Sequence, residues 1–212
     1  MRDEKLIFAE LLCSRLCHDL ITPVGAINTG LELFDEHAGG KSGDSEEILN
    51  LIRQSAIAAS SRLSFYRAAF GSSGGGIALG DVKRHVERFF TPSKLTFSWE
   101  EPFEPNLNIP QWGRLLLNIV LWINECAPRG GELKIKVPQE HHLCAEIELE
   151  GDHITVSPDG KSALLGEAPL KDLTPRTIQP YLLSLLGKSA NVVFEITQTN
   201  ARRIVFVAKK KT

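Results

Sequence analysis

The fold is decided by residues 11–27, which read LLCSRLCHDLITPVGAI. Apolar residues recur here at alternating steps of three and four, and the same spacing extends from about residue 4 to residue 36. At about 100° per residue, such positions form one stripe along an α-helix. Because Pro23 and Gly25 interrupt the pattern, we predict a long amphipathic helix that bends near its centre. The apolar stripe consists of Leu6, Ala9, Cys13, Leu16, Leu20, Val24, Ile27, Leu31 and Phe34.

A second helix is predicted from Asp44 to Phe70, after a Gly-rich turn at residues 36–43. Asp44 and Glu47 have the spacing of a helix N-cap and its reciprocal partner. Two helices of this length joined by a short loop form an antiparallel hairpin. One hairpin leaves much of both apolar stripes exposed, so we predict a homodimer in which two hairpins make a four-helix bundle.

A Gly/Ser linker at residues 71–76 separates two predicted domains, 1–70 and 77–212. The pattern after the linker mixes helices with strands, and residues 102–110 form a loop. The predicted helices are 81–90, 111–126 and 173–186, and the predicted strands are 94–100, 132–137, 143–149, 153–156, 192–197 and 203–208. The fold class is therefore α+β, an N-terminal helical hairpin followed by a two-layer α/β sandwich.

Composition excludes several classes of protein. A net charge of −2 gives no reason to expect nucleic acid or an anionic membrane as a partner. Apolar runs fall short of the roughly 20 residues that span a bilayer, and the charged first residues do not form a secretory leader. The four cysteines lie in apolar segments and predict reduced thiols in the cytoplasm. Cys13 and Cys17 lack a matching distant pair, so we predict small buried side chains rather than metal ligands.

His18 is the candidate reactive residue. It lies about 165° from the centre of the apolar stripe, so it is predicted to point at solvent. An exposed imidazole that titrates near neutrality is a competent nucleophile for phosphoryl groups. Asp19 could orient the ring or help with its proton, and Thr22 could position a phosphoryl oxygen or a water. A lone exposed histidine is nevertheless more often plain surface.

The surface around His18 is predicted to be a docking patch for a partner. Leu11 is an apolar residue on the expected wet face, which suggests that something covers it. Arg15 is one turn from His18 and could offset the charge of a phosphorylated ring. The full patch consists of Leu11, Ser14, Arg15, Pro23 and Gly25, beside Thr22.

The segment His18-Asp19-Leu20-Ile21-Thr22-Pro23 resembles the H-box of dimeric histidine kinases. In that family the histidine is phosphorylated, the hairpins dimerise, and an α/β ATP-binding domain follows. Residues 116–125 followed by 128–131 are similar to its N-box region. The resemblance therefore covers nearly the whole chain in the same order.

Departures from the kinase pattern concern the nucleotide. Trp122 stands where the family has a second asparagine, four residues after Asn118, that helps hold magnesium, and an indole cannot ligate a hard cation. The glycine-rich boxes expected later are absent, since neither Asp152 nor Asp159 has the spaced glycines. We therefore predict that the chain neither binds nor hydrolyses ATP, and that it holds no cofactor and no metal.

A dimeric H-box protein with a degenerate ATP domain resembles the ChpT-type histidine phosphotransferases of alphaproteobacteria. Residues 18–27 are similar to their phosphorylation site, and residues 174–181 resemble their C-terminal helix more loosely. The resemblance implies a multistep phosphorelay, in which the receiver domain of a hybrid histidine kinase donates a phosphoryl group to His18. His18 then passes it to a response regulator of cell-cycle type, and Mg²⁺ is supplied by the partner receiver domain.

Two other functions stay open from the sequence. One is an active histidine kinase with a divergent nucleotide site. The other is a non-catalytic dimeric scaffold or kinase inhibitor that carries a vestigial histidine. Labelling by ATP would favour the first, and binding of a partner without phosphoryl transfer would favour the second.

Overall fold

The computed structural model describes residues 3–36, 42–71, 76–91, 94–101, 103–108, 111–138 and 144–211, without the side chains of residues 42–44 and 144. The turn at 36–43 and the linker at 71–76 lie largely outside these residues. The elements are α1 (Glu4–Glu36), α2 (Ser42–Phe70), α3 (Leu79–Phe90), β1 (Leu95–Trp99), α4 (Trp112–Glu125), β2 (Gly131–Lys136), β3 (Cys144–Glu150), α5 (Pro158–Leu165), a 3₁₀ turn (Leu170–Asp172), α6 (Ile178–Ala190), β4 (Val192–Asn200) and β5 (Arg203–Lys210).

α1 and α2 form the antiparallel hairpin. Asp19 on α1 meets Tyr66 near the end of α2, whereas Gly30 further along α1 meets Ile52 near its start. A Cβ on Gly30 would lie 2.5 Å from Cγ1 of Ile52, so glycine at this position allows the two helices to approach closely. The predicted N-cap at Asp44 is wrong, because α2 already begins two residues earlier, at Ser42.

The apolar stripe of α1 is only half covered within one chain. Leu16 and Leu20 pack against the main core. Cys13 and Cys17 are both exposed, so the prediction that they are buried is wrong for the single chain. They lie on the part of the helix that faces away from α2 and from the second half of the protein. Their exposure leaves an apolar surface without a partner inside the chain.

The second half contains one five-stranded sheet with strand order β1-β2-β3-β5-β4. β1 is parallel to β2, and the other neighbours are antiparallel. Alternate residues such as Ile135 and Ile147 are buried beneath the helices. The opposite face carries charged side chains, among them the pair of Arg203 and Glu148 at 2.8 Å. Helices therefore cover one face of the sheet, which confirms the mixed helix and sheet fold.

α4 and α6 cover the inner face of the sheet. The indole of Trp122 on α4 packs edge-on against Phe206 of β5, with ring centroids 5.9 Å apart. On α6, a Cβ at Gly187 would lie 2.5 Å from the ring of Phe194 on β4, so the helix can sit close to the strand only with glycine there.

An aromatic cluster joins the hairpin to the second half. The rings of Phe65 on α2 and Phe89 on α3 have centroids 4.3 Å apart, and Phe90 lies 5.0 Å from Phe97 of β1. Phe65 is completely buried and belongs to the same core as the inner residues of the sheet. The end of α2 therefore packs into the core of the second half of the protein.

Asn118 strengthens the same junction. Its Nδ2 donates to the carbonyl oxygens of Ala69 at 2.9 Å and Arg114 at 2.8 Å. Its Oδ1 accepts from Nε2 of Gln179 on α6 at 2.9 Å. Because Asn118 is completely buried, these hydrogen bonds satisfy an amide that would otherwise be costly to bury. One side chain thus ties α4 to α2 and α6.

The predicted strand at 153–156 is wrong. Ile154 is buried, but its N–H bonds to the carbonyl of Ala201 and that of Thr155 bonds to Cys126, so the segment is a buried connection rather than a ladder. α5 follows it and was not predicted. Ser157 caps this helix by accepting from the N–H of Gly160 at 3.1 Å.

The predicted helix at 173–186 begins later, since α6 spans Ile178–Ala190. Pro175 disfavours a helical conformation at Thr174. Thr174 instead forms a turn in which its N–H donates to Oγ1 of Thr177 at 2.8 Å. This turn brings residues 174–177 to the edge of the cleft described below.

Candidate active site

His18 projects from α1 into solvent, as predicted. Its side chain is 83% exposed. The ring nitrogen Nδ1 lies 3.4 Å from Oδ1 of Asp19. Nε2 has no hydrogen-bond partner among the residues that the structure describes. The imidazole therefore has one nitrogen beside a carboxylate and one nitrogen that a partner can reach.

The carboxylate of Asp19 is held from two sides. Its Oδ2 accepts from Nε of Arg15 at 2.9 Å and from the hydroxyl of Tyr66 at 2.7 Å. Burial would raise the pKa of this carboxyl, but the hydrogen bond from Tyr66 and the charge and hydrogen bond of Arg15 outweigh it and hold the pKa below its ordinary value. Asp19 is therefore ionised near neutral pH, with Oδ1 left for His18.

Pro23 affects the backbone of Asp19. A proline has no N–H, so the carbonyl four residues before it loses its helical donor, and here that carbonyl belongs to Asp19. The guanidinium of Arg62 on α2 donates Nη1–H to this oxygen. α1 consequently continues through Pro23 as one helix from Glu4 to Glu36.

Arg15 connects the site to the second half of the protein. Besides Asp19, its Nη2 bonds to Oε1 of Glu125, at the end of α4, at 2.6 Å. Burial would lower the pKa of Arg15, but the two carboxylates outweigh this and raise it. Burial also raises the pKa of Glu125, although Arg15 favours its charged form. Arg15 is thus already paired with two carboxylates rather than free to meet a partner's phosphoryl group.

The remaining residues of the predicted patch differ in their exposure. Ser14, Thr22 and Gly25 are exposed, and a Cβ on Gly25 would meet no atom within 4 Å, so the surface there is open. Pro23 is buried, and Leu11 is partly buried against a cluster from α5 and α6. Pro23 is therefore unavailable to a partner, and the second half of the protein itself covers part of Leu11.

A cleft of about 1020 Å³ lies between α1 and the second half. His18 and Asp19 form part of one wall. Lys94, Trp122, Glu125 and Arg176 of the second half also line the cleft. Two basic side chains therefore share this space with the exposed imidazole.

Trp122 and Asn118, the two positions of the N-box pattern, both serve packing. Trp122 is only 3% exposed and rests against the sheet. Asn118 uses its amide to join helices, as described above. Gly160, in the region where the kinase pattern has a glycine-rich box, lies in the first turn of α5.

Arg62, Tyr66 and Glu125 belong to the site but were not among the residues predicted for it. Pro23 is a signal that could have indicated Arg62, because it leaves a carbonyl in need of a donor. Tyr66 lies one turn after Arg62 on the same helix, and helical spacing alone does not distinguish it from an apolar core residue. Glu125 gave no such signal, since it meets Arg15 from 110 positions away in the sequence.

Comparison with known proteins identifies the class. The family model for the histidine phosphotransferase C-terminal domain matches residues 79–202. The chain belongs to the histidine phosphotransferase family, which confirms its predicted role as a histidine phosphotransferase of a phosphorelay.

Two relatives cover almost the whole chain. Protein phosphotransferase ChpT of Brucella abortus (strain 2308) is 37% identical over 205 residues, which are 94% of this chain and 93% of that protein. The 1.7 Å structure of a bacterial phosphotransferase has a TM-score of 0.84 and 36% identity, over 99% of this chain and 98% of that one. The resemblance to ChpT-type phosphotransferases is confirmed.

Proposed function

We propose that this protein is the phosphoryl carrier of a multistep phosphorelay. His18 takes a phosphoryl group from the receiver aspartate of a hybrid histidine kinase and passes it to the aspartate of a response regulator. The observation that carries the proposal is an imidazole that is 83% exposed, with Nδ1 facing an ionised carboxylate and Nε2 open to a partner. A carrier needs these features and no nucleotide site of its own.

The chemistry follows from the two ring nitrogens. A neutral ring with its proton on Nδ1 donates to Asp19, which leaves the lone pair of Nε2 to attack the phosphorus of the acyl phosphate in line. The P–O bond to the donor carboxylate breaks, and its electron pair leaves with that carboxylate. The ring becomes positively charged, and Asp19 stabilises this charge through Nδ1–H. Attack by the acceptor carboxylate reverses these steps.

Mg²⁺ in this proposal is supplied by the partner receiver domain, where it neutralises charge on the phosphoryl oxygens. This chain contributes Lys94 and Arg176, whose charges face the cleft beside His18. Exposed Ser14 and Thr22 lie within about one turn of His18 and are offered to the docked receiver. The partners are cell-cycle response regulators and their hybrid kinase.

The protein neither binds nor hydrolyses ATP in this proposal. Support comes from Trp122, whose buried indole replaces a magnesium-holding amide, and from Asn118, whose amide is fully used within the core. Hard cations such as Mg²⁺ require oxygen ligands, which an indole does not provide. The phosphoryl group must then come from another protein.

The first test separates the candidate functions by the source of label. The protein is incubated either with a radiolabelled phosphorylated receiver domain or with labelled ATP and Mg²⁺. We expect label on the protein from the receiver and none from ATP. Stoichiometric self-labelling by ATP would make it a kinase. A receiver that binds without transferring label would make it a scaffold.

The protein forms a homodimer through the exposed apolar face of the hairpin in this proposal. Apolar side chains on both helices are exposed, and monomeric proteins rarely leave so continuous an apolar surface in water. The exposed apolar residues, with their exposed fractions, include Ile21 (69%), Val24 (46%) and Leu31 (48%) on α1, and Leu49 (45%), Ile57 (60%) and Leu63 (56%) on α2. Pairing two hairpins into a four-helix bundle would cover them, and Cys13 and Cys17 with them.

Charge placed on this surface is expected to break the dimer. Leu63→Glu and, independently, Ile21→Glu should weaken dimerisation by at least about 100-fold, because each would bury an unpaired carboxylate in both copies. Light scattering after gel filtration measures the mass. Leu185→Glu, at a residue of α6 that is 38% exposed, is the matched control and should remain dimeric. Dimers that persist in both hairpin variants would contradict the bundle.

The cytoplasm is the proposed location. Cys13, Cys17 and Cys126 are free thiols, which persist best in a reducing compartment. Cys126 is buried, and burial raises the pKa of its thiol to about 12. Among the helices that the structure describes, none is both long enough and apolar enough to cross a membrane.

A further inference from the structure

We propose that Tyr66 and Arg62 on α2 are positioning residues for phosphotransfer, which fix the carboxylate and the backbone of Asp19 relative to His18. The inference deepens the proposed function and rests on the role given there to His18. Neither residue touches the phosphoryl group. Both act through Asp19.

Tyr66 determines which carboxylate oxygen His18 meets. Its hydroxyl donates to Oδ2 of Asp19 at 2.7 Å, on the same oxygen that Arg15 reaches. Two donors on one oxygen prevent the carboxylate from rotating about its terminal torsion, which is otherwise broad. Oδ1 therefore stays beside Nδ1 of His18, and the proton stays on that nitrogen. Nε2 keeps its lone pair for phosphorus.

The ring of Tyr66 cannot move with the carboxylate. Tyr66 is only 6% exposed and stacks on Phe70 with centroids 5.6 Å apart. Phe89 on α3 packs against its edge at 5.7 Å, and Phe65 packs at 6.2 Å. The hydroxyl is thus presented from a rigid support, part of which belongs to the second half of the protein. The second half of the protein therefore influences His18 indirectly, because Phe89 supports Tyr66 and Tyr66 holds Asp19.

Arg62 holds the backbone at the same residue. It lies one turn before Tyr66, so the two side chains leave α2 on the same face. Its donation to the carbonyl of Asp19 replaces the hydrogen bond that Pro23 cannot make. Side chain and main chain of Asp19 are therefore both fixed from α2, directly after the reactive histidine.

Among the residues described, the charged or titratable groups that hydrogen-bond to Asp19 all belong to this arrangement, while Lys94 and Arg176 line the same cleft. His18 and Arg15 face it from α1, and Arg62 and Tyr66 from α2. Glu125 approaches from α4 through Arg15. Removal of the tyrosine hydroxyl leaves Arg15 as the remaining side-chain donor to Oδ2.

The test compares Tyr66→Phe with wild type in single-turnover transfer from a phosphorylated receiver domain, over a range of carrier concentrations. We expect the limiting rate to fall roughly 10–100-fold, with the half-saturating concentration unchanged within about twofold. Tyr181→Phe is the matched control. Tyr181 packs on Phe8, away from Asp19, and its variant should transfer at the wild-type rate.

A spectroscopic readout separates positioning from loss of structure. ¹⁵N NMR of the histidine ring, assigned by the loss of signal in a His18 variant, reports which nitrogen carries the proton. We expect Nδ1–H in the wild type and a mixture of tautomers in Tyr66→Phe. A change confined to thermal stability would not shift this signal.

Arg62→Met is measured in parallel, since it removes the donor but keeps an apolar stem of similar length. It should also lower the limiting rate, and it keeps the test decisive if Tyr66→Phe fails to fold. Wild-type limiting rates in the folded variants would overturn the inference. Failure of the wild type to accept label would instead overturn the proposed function, so the two failures are distinguishable.

Discussion

Replacement of His18 by glutamine is expected to abolish labelling by a phosphorylated receiver. The amide of glutamine offers hydrogen bonds but no nucleophilic nitrogen, so the loss should reach roughly 1000-fold or more, below detection. The fold should survive, because the His18 side chain is 83% exposed and, among the residues described, hydrogen-bonds only to Asp19. We expect the free energy of unfolding to change by less than about 0.5 kcal/mol. Transfer of ³²P, thermal melting and dimer mass are the measurements.

A matched control keeps this test specific to one residue. His153 is an exposed histidine on the second half of the protein, so His153→Gln makes the same chemical change away from the site. It should accept label at the wild-type rate. Label that persists on His18→Gln would show that another residue is the acceptor and would remove the central proposal.

Asn118→Ala, within the segment that resembles the N-box, is expected to be strongly destabilising. It removes the hydrogen bonds to Ala69 and Gln179 and leaves a small cavity at a completely buried position. Loss of the buried amide should lower the free energy of unfolding by about 2–4 kcal/mol, because Nε2 of Gln179 is left without its 2.9 Å acceptor. Urea titration followed by circular dichroism measures the effect.

Asn124→Ala provides the comparison. Asn124 lies on the same helix, half-exposed at the edge of the cleft, so its change should stay within about 0.5 kcal/mol of wild type. Equal stabilities of the two variants would show that the buried amide contributes nothing to the junction. A large loss at Asn118 alone would explain why asparagine remains there although Trp122 occupies the second position of the pattern.

The helical hairpin could be predicted because its signal is local and repeated. The apolar spacing from residue 4 to 36 matches α1, which ends at Glu36. The structure of residues 153–156 could not be predicted in this way. Ile154 is buried by packing against distant parts of the chain, and alternation over four residues does not distinguish a buried connection from a strand. α5 had a usable signal in Ser157-Pro158, a capping serine followed by a favoured first residue, but it lies in a short helix with a weak apolar pattern.

In the candidate site, too, local contacts could be predicted from the sequence and long-range contacts could not. His18 and Asp19 are neighbours in sequence, so their pairing follows from the motif alone. Tyr66 reaches Asp19 from 47 positions away, and Glu125 reaches Arg15 from 110. Such contacts depend on how α2 and α4 pack on α1, which spacing within one helix cannot reveal. In the same way, packing of α5 and α6 against α1 partly buries Leu11, a residue that the helical wheel places on the exposed face.

The junction between the two halves has a consequence for the direction of the relay. The aromatic cluster, the Asn118 amide and the Arg15–Glu125 pair hold the second half against the hairpin that carries the histidine. A carrier whose two halves are held together in this way offers the same geometry to donor and acceptor. We therefore expect the net direction of phosphoryl transfer to follow the relative phosphorylation of the proteins that bind it. Reversal of this gradient would drain the acceptor through the same histidine.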